Sequence, residues 1–223
     1  MLQVPDHLNR NAPSVQEMGH PADTGAMLID YMCQRIGIDT LASRDVLDLG
    51  CGVRFSQAII DRDLPIGTYT GIDVDRAVID FLSENVDDER FCYHYMDVGN
   101  QFYNPEGDRL DPETQTALGD RNFDIACMFS VITHQQPEEA SAIFRFLRHY
   151  IRNDGRLFFS AFLHQEPQDF KELNPSKPGL KASYSKPLMA ELLRSADWKI
   201  ESLVDPLPND VPIMWSYLCS PVA

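Results

Sequence analysis

Acidic and glycine residues occur at spacings that could bind a nucleoside. Asp48 stands before Gly50 and Gly52 in a D-x-G-x-G fragment. Glycines in a tight turn let a ligand approach the backbone closely, and free amides at the start of a following helix favour an anionic group. Asp73 ends the next apolar run, where a carboxylate can bind the two hydroxyls of a ribose. With Asp97 at the end of a third run, this pattern predicts a nucleoside-binding site.

Two histidines could remove a proton from a bound substrate. His134 follows the fourth apolar run and His164 follows the fifth, and imidazole titrates near neutral pH, so either could act as a general base. The alternatives are a hydrogen-bonded structural role for His134 at a helix entry and a mobile loop position for His164. His20 could reach the site only if the amino-terminal segment folds over it.

The elements that must position these residues alternate along the chain. Short apolar runs rich in β-branched and aromatic residues predict strands at 45–50, 68–73, 91–97, 123–130 and 157–163. Helical spacing predicts helices at 27–36, 55–62 and 76–84, and a further helix that begins at Pro137 and is stopped by Asp154 and Gly155. Two final strands, at 198–203 and 212–218, should form an antiparallel hairpin at the sheet edge. The alternation predicts an α/β fold with a mostly parallel sheet covered on both faces.

Two segments interrupt this alternation. Residues 99–122 are rich in acidic residues, and residues 164–184 are polar and contain prolines. Both follow the carboxyl ends of strands, where open α/β sheets bind ligands, and both are long for α/β connections. We expect them to be lids or substrate-side loops, with Phe102 or Tyr103 as possible lining residues of an acceptor pocket.

Six motifs in order resemble those of the class I S-adenosylmethionine-dependent methyltransferases, from about residue 45 to the carboxyl terminus. The first motif is VLDLGCG (46–52), the ribose-binding segment is GIDVD (71–75) and the adenine-contacting segment is YMDV (95–98). NFDI (122–125) resembles the start of the fourth strand, and SVITH (130–134) and IRNDGRL (151–157) resemble two later stretches.

This resemblance implies a Rossmann-like three-layer sandwich. Its seven-stranded, mostly parallel sheet would have an antiparallel last strand, in one domain over 1–223 with residues 1–40 as an amino-terminal arm and helix. The implied cofactor is S-adenosyl-L-methionine. The implied cofactor-binding residues are those of the matching motifs: Asp48, Gly50, Cys51, Gly52, Asp73, Val74, Asp97, Val98 and Ser130.

Arg54 departs from the family pattern, because it stands where the family usually has a third glycine. Its side chain either points to solvent or reaches the methionine carboxylate of the cofactor as a counter-charge. We therefore include Arg54 among the cofactor-binding positions.

The composition excludes several classes of partner. Nineteen basic residues against 34 acidic ones give a net charge of −15, which repels nucleic acid and anionic membranes. The five cysteines are scattered and form no C-x-x-C pair, so we expect a protein of the reducing cytoplasm without a structural zinc. No spacing of ligand residues predicts a metal site, and an oligomer is possible.

The leading hypothesis is methyl transfer from S-adenosylmethionine to a small molecule, most simply to the hydroxyl of a sugar or natural product. One alternative is a protein that binds the cofactor but is catalytically silent and serves as a partner or sensor. Another is an NAD-dependent dehydrogenase, which the sequence disfavours because Phe55 interrupts the full G-x-G-x-x-G pattern.

Overall fold

The computed structural model describes residues 1–10, 19–101, 103–110, 118–177, 179–206 and 214–222. Within these ranges the helices are α1 (Pro21–Ile36), α2 (Arg54–Asp61), α3 (Arg76–Asn85), α4 (Pro137–Tyr150) and α5 (Lys186–Ser195). The strands are β1 (Leu41–Leu49), β2 (Ile66–Asp73), β3 (Phe91–Tyr95), β4 (Phe123–Met128), β5 (Ile151–His164), β6 (Phe170–Glu172), β7 (Ala182–Ser185), β8 (Trp198–Val204) and β9 (Trp215–Pro221). Single turns of 3₁₀ helix lie at Asp6–Leu8 and Ile132–His134.

Seven strands form the main sheet, in the order β3-β2-β1-β4-β5-β9-β8. The pairs among β1 to β5 are parallel, whereas β9 runs antiparallel to both β5 and β8. The α/β architecture and the antiparallel last strand are therefore confirmed. The connection between β8 and β9 falls on residues 207–213, outside the described ranges, as does the start of the predicted strand at 212.

Two hydrophobic cores cover the two faces of the sheet. Successive strand residues point to opposite faces, so Val46 packs with the side chains of α1, α2 and α3, whereas Leu47 packs with those of α4 and α5. This double coverage explains why the central strands are apolar runs without alternation. It leaves the carboxyl ends of the parallel strands as the edge at which polar side chains can meet.

The end of α4 corrects one prediction. The helix ends at Tyr150 rather than at Asp154 and Gly155, and both of those residues lie inside β5. The chain enters the strand without a loop, because Ile151 already takes an extended conformation (φ −97°, ψ 130°) and pairs with Phe123.

The 164–184 segment is more regular than an extended loop. It contains β6 and β7, which form an antiparallel hairpin, and β7 pairs in parallel with the last residues of β5. The helix α5 that follows was missed at the sequence level, although Ser185 caps it and Pro187 stands in its first turn.

Candidate functional site

The glycine turn between β1 and α2 forms the floor of the site. Gly50 (φ 72°) and Gly52 (φ 49°) both take left-handed backbone conformations. The amides of Gly50 and Cys51 donate to the Ile72 carbonyl at 2.8 and 3.0 Å, which joins the turn to β2. A side chain at Gly50 would collide with Val131. The turn is thus held against the ends of two strands.

Asp48 lies beneath this turn and is 3% exposed. Its Oδ2 accepts a hydrogen bond from the Tyr69 hydroxyl at 2.7 Å. Burial raises the pKa of the Asp48 carboxyl to about 7, and the hydrogen bonds from Tyr69 and Cys127 oppose that rise only in part. Asp48 therefore supports the turn from the core.

Asp73, the last residue of β2, is the most heavily bonded carboxylate at this edge. It is 2% exposed. Its Oδ1 accepts from the Asp75 amide at 3.0 Å, and its Oδ2 accepts from the Gly52 amide at 2.9 Å and from Nη2 of Arg10 at 2.6 Å. The carboxylate thus faces the glycine turn, as the first motif and the ribose-binding segment together predict.

Arg10 comes from the amino-terminal segment, which the motifs do not include. Residues 1–10 are anchored on α2: the Leu2 amide donates to Asp61 at 2.6 Å, and the Gln57 side chain donates to the Leu2 carbonyl at 3.2 Å. The folding of the amino terminus over the site was considered for His20, but it is Leu8, Asn9 and Arg10 that line the cavity. The sequence offered one signal that this segment packs on the protein, namely the apolar residues Leu2 and Leu8, and both are buried.

A cavity of about 520 Å³ opens at the carboxyl ends of β1, β2 and β4. This volume is within the usual range for a site that takes a small molecule. Of the predicted residues, it is lined by Asp48, Gly50, Cys51, Gly52, Arg54, Asp73, Val74, Val98, Ser130 and His134. Its other lining residues include Tyr103 and Leu110 from the first predicted lid and Leu180 from the second. Phe102 lies outside the described residues.

His134 reaches the cavity from the 3₁₀ turn after β4. Its Nδ1 lies 3.2 Å from the carbonyl oxygen of Gly179. A carbonyl oxygen only accepts, so this contact places a proton on Nδ1, and in the neutral ring Nε2 then carries the lone pair. Burial lowers the pKa of His134, and its hydrogen bonds to the backbone of Gly179 and Leu180 oppose that effect. The burial of the ring at the cavity wall therefore favours its neutral form.

Ser130 marks the bend between β4 and this turn. It is a non-glycine residue with a φ of 61°, an uncommon backbone conformation. Its amide donates to the Ser160 hydroxyl at 3.0 Å, and its own carbonyl accepts from Thr133 at 2.8 Å. These contacts hold the bend that turns His134 toward the cavity.

Three predicted residues lie elsewhere. His164 does not line the cavity: its Nδ1 lies 2.9 Å from the Ser183 hydroxyl and its Nε2 lies 2.8 Å from the Gln168 carbonyl, within the β5 to β7 region. His20 caps α1 by accepting from the Ala22 amide. Asp97 is exposed and accepts from Tyr95 and Asn104, while its neighbour Val98 lines the cavity. The structure thus gives His164 and Asp97 no contact with the cavity.

Arg54 begins α2 and lines the cavity. Its aliphatic stem packs on α1 at Gly25, where an added Cβ would lie 3.0 Å from Arg54 Cγ and 2.8 Å from the Arg54 carbonyl oxygen. Burial lowers the pKa of the guanidinium to about 10. Within the described ranges Arg54 has no salt bridge. The Arg54 side chain is therefore partly buried at the cavity wall.

The described residues contain no group of three or more side chains that could hold a metal ion. In the same part of the chain, no helix has both the length and the apolar character that a membrane crossing requires.

Residues 10–203 match the methyltransferase domain family. Among solved structures, the fold is similar to the 1,6-didemethyltoxoflavin-N1-methyltransferase of Burkholderia thailandensis (TM-score 0.61, 17% identity, 94% of this chain and 81% of that one). It is also similar to the magnesium protoporphyrin IX methyltransferase of Synechocystis PCC 6803 (TM-score 0.59, 14% identity, 96% and 86%). A glycopeptide N-methyltransferase is a third such structure (TM-score 0.61, 11% identity, 88% and 90%). No curated protein matches the sequence.

The sheet order, the glycine turn and the strand-end carboxylate are those of a Rossmann-like methyltransferase fold. The chain belongs to the methyltransferase domain family.

Proposed function

We propose that this enzyme binds S-adenosylmethionine and transfers the methyl group of that cofactor to a hydroxyl of a small molecule. The observation that carries the proposal is one cavity that is lined by the glycine turn, by Asp73 and by His134. An alcohol or phenol must lose its proton near the transition state, so a neutral histidine beside the acceptor is what O-methylation needs. The N-methyltransferases among the similar structures share only the fold.

The residues at the strand ends fit the cofactor. Gly50 and Gly52 take left-handed conformations that keep the turn tight beside the cavity, and Asp73 would accept from the ribose hydroxyls. Val98 would contact the adenine, and Arg54 would pair with the methionine carboxylate. When bound, the cofactor supplies a methyl group on a positively charged sulfur.

The rest of the cavity would bind the acceptor. Leu110, Ile143, Leu180 and Met214 line it together with His134. These side chains are apolar, so we infer an acceptor with an apolar or aromatic body and one hydroxyl directed at His134. Holding that hydroxyl in line with the methyl carbon and sulfur is an entropy saving that can reach about 7–11 kcal/mol in favourable systems.

His134 would take the proton at Nε2 while its Nδ1–H stays on the Gly179 carbonyl. The transfer discharges the sulfonium, so tight binding of the cation does not by itself speed the reaction. Positioning and proton removal are therefore the contributions that the chain's own residues must make.

A panel of small acceptors with S-adenosylmethionine labelled on the methyl group tests this proposal. Phenols and aliphatic alcohols should yield labelled O-methyl products, whereas matched amines and carboxylates should yield less. Turnover of amines alone would contradict the O-methyl proposal. Cofactor binding with no turnover on any acceptor would instead favour the silent partner or sensor.

A further inference from the structure

Arg10 lies over two groups that the proposed cofactor site uses. Its Nη2 is 2.6 Å from Asp73 Oδ2, and it is the nearest atom to a Cβ placed on Gly52, at 3.4 Å. The Arg10 side chain is 21% exposed and the Asp73 side chain 2%. The ion pair is therefore a largely buried contact at the position proposed for the ribose.

The Asp73 carboxylate can accept only a limited number of hydrogen bonds at one time. A carboxylate has about four acceptor positions, two on each oxygen. Oδ2 already accepts from the Gly52 amide and Arg10, and Oδ1 accepts from the Asp75 amide. One position remains, whereas two ribose hydroxyls need two. The backbone amides are fixed by the fold, so Arg10 is the donor that can leave.

The Asp75 carboxylate is close enough to pair with the Arg10 guanidinium after it leaves Asp73. Nη1 of Arg10 is 3.7 Å from Asp75 Oδ2, and the guanidinium carbon lies 4.3 Å from the centre of the Tyr103 ring. Asp75 is 22% exposed and uses its Oδ1 to cap α3 through the Ala77 amide, which leaves Oδ2 toward Arg10. A small movement across the face of Tyr103 would exchange one acid for the other.

We propose that Arg10 is a cofactor-site residue that pairs with Asp73 in the cofactor-free enzyme and moves to Asp75 when the ribose hydroxyls take its place. This inference rests on the proposed role of Asp73. The exchange keeps Arg10 paired with a carboxylate, while Asp73 keeps the Gly52 and Asp75 amides and gains the ribose hydroxyls, so neither buried charge is left without partners. It also uncovers Gly52 for the approach of the cofactor while residues 1–10 stay anchored on α2 through Leu2.

The test is a double-mutant cycle on Arg10 and Asp75, read by calorimetric binding of S-adenosylhomocysteine to the full-length protein. Arg10→Gln removes the competitor of the ribose. Asp75→Asn keeps an oxygen for the α3 cap and removes the charge that receives Arg10. Arg62→Gln is the matched control, because it deletes an Arg–Asp pair, with Asp23, whose residues do not line the cavity.

Arg10→Gln should bind S-adenosylhomocysteine at least about fivefold more tightly, because about fivefold is the upper scale for an exposed ion pair and this pair is largely buried. Asp75→Asn should weaken binding by a similar factor in the wild-type background and have no effect once Arg10 is gone. Arg62→Gln should change nothing. Weaker or unchanged binding by Arg10→Gln would overturn the exchange, as would an Asp75→Asn effect that persists without Arg10.

Asp73→Asn, measured in the same series, separates this inference from the proposed function. If Asp73→Asn binds as well as the wild type, Asp73 is not the ribose ligand and the proposed site is wrong. If it binds poorly while Arg10→Gln gains nothing, the ribose site stands and only the exchange of Arg10 is wrong.

Discussion

Asp73 is the side chain that links the segments around the proposed ribose position. It joins the Gly52 turn, the start of α3 and the amino-terminal segment through its hydrogen bonds to Gly52, Asp75 and Arg10. A buried carboxylate with this many donors is held in one orientation, which favours binding two neighbouring hydroxyls.

Replacing Asp73 with asparagine should weaken S-adenosylhomocysteine binding by about 1.5–3 kcal/mol, the scale for a hydrogen bond to a charged group. The loss follows because the amide can offer only one oxygen to the ribose. Titration calorimetry measures the change, and thermal unfolding without ligand controls for lost stability. Wild-type affinity in a folded variant would remove Asp73 from the site.

His134 should control turnover without controlling cofactor affinity. His134→Asn is expected to lower the methyl-transfer rate about 10²–10⁴-fold, the usual contribution of a general base, with S-adenosylhomocysteine binding little changed. Equal losses of thermal stability and cofactor affinity with normal turnover would instead support a structural role.

The rate of methyl transfer should fall at low pH and not at neutral pH. Burial lowers the pKa of His134, so the ring stays neutral at neutral pH, and the rate should fall only below the ordinary histidine value of about 6.5. A rate profile of the wild type from pH 5 to 8 checks this. A half-maximal rate above that value would contradict His134 as the base.

Asp48 should make stability depend on pH in the opposite way to a carboxylate whose pKa is lowered by a cationic partner in the folded state. Its folded pKa of about 7 lies above its unfolded value, so the folded state holds the proton more tightly. The contribution of this group is present at low pH and is lost as pH rises through about 4 to 7. Relative to Asp48→Asn, the wild type should lose about 3 kcal/mol of unfolding free energy between pH 5 and 8. Urea unfolding measures the difference, and parallel curves for the two proteins would contradict it.

At the scale of elements, the β6 to β7 hairpin holds the His134 wall in place. The Glu172 carboxylate accepts from the Gly179 amide at 3.1 Å through both oxygens and from the Gln136 side chain at 2.5 Å. Gly179 in turn presents its carbonyl to His134. The hairpin and the start of α4 are thus joined around the histidine.

Removing this link should loosen the hairpin. Glu172→Ala is expected to speed hydrogen exchange of the Gly179 amide by about tenfold, since it deletes a hydrogen bond to a charged group. Glu172→Gln, which keeps an acceptor oxygen, should fall between the two proteins. Exchange at Gly179 that is unchanged in Glu172→Ala would show that the carboxylate does not hold this segment.

The sequence predicted the elements that repeat a local pattern and missed those fixed by long-range contacts. The strands β1 to β5 and the helix faces were recognisable because apolar periodicity reports burial directly. The end of α4 was misplaced because the β-branched residue Ile151 pairs with Phe123 on the neighbouring strand β4, and this long-range contact ends the helix. Likewise β6 and β7 exist only as additions to the end of β5, and nothing in their short polar sequences specifies that pairing.

At the scale of the whole molecule, the same division separates two groups of cavity-lining residues. The glycine turn and Asp73 could be placed together from the sequence, because they follow strands and parallel strands bring their carboxyl ends to one edge. Arg10, Leu180 and Met214 could not, because they come from segments far apart in the chain. Among the histidines, spacing alone placed His134 and His164 at equivalent strand ends. Only the packing shows that His134 faces the cavity.

The proposed cofactor site lies at the edge of the sheet where the two hydrophobic cores meet. Gly50 lies against Val131 on one side, while Gly71 lies against Cys51 on the other, with little room for added side chains. A ligand that binds there should stabilise the native state, because it does not bind the unfolded chain. The unfolding temperature of the protein should therefore rise when the cavity is occupied.

A crystal structure of the complex with S-adenosylhomocysteine tests the central claim most directly. We predict density in the cavity beside Gly50 and Gly52, both ribose hydroxyls within hydrogen-bonding distance of Asp73, and the Arg10 guanidinium on Asp75. Ligand density outside this cavity, or a ribose that does not touch Asp73, would contradict the account.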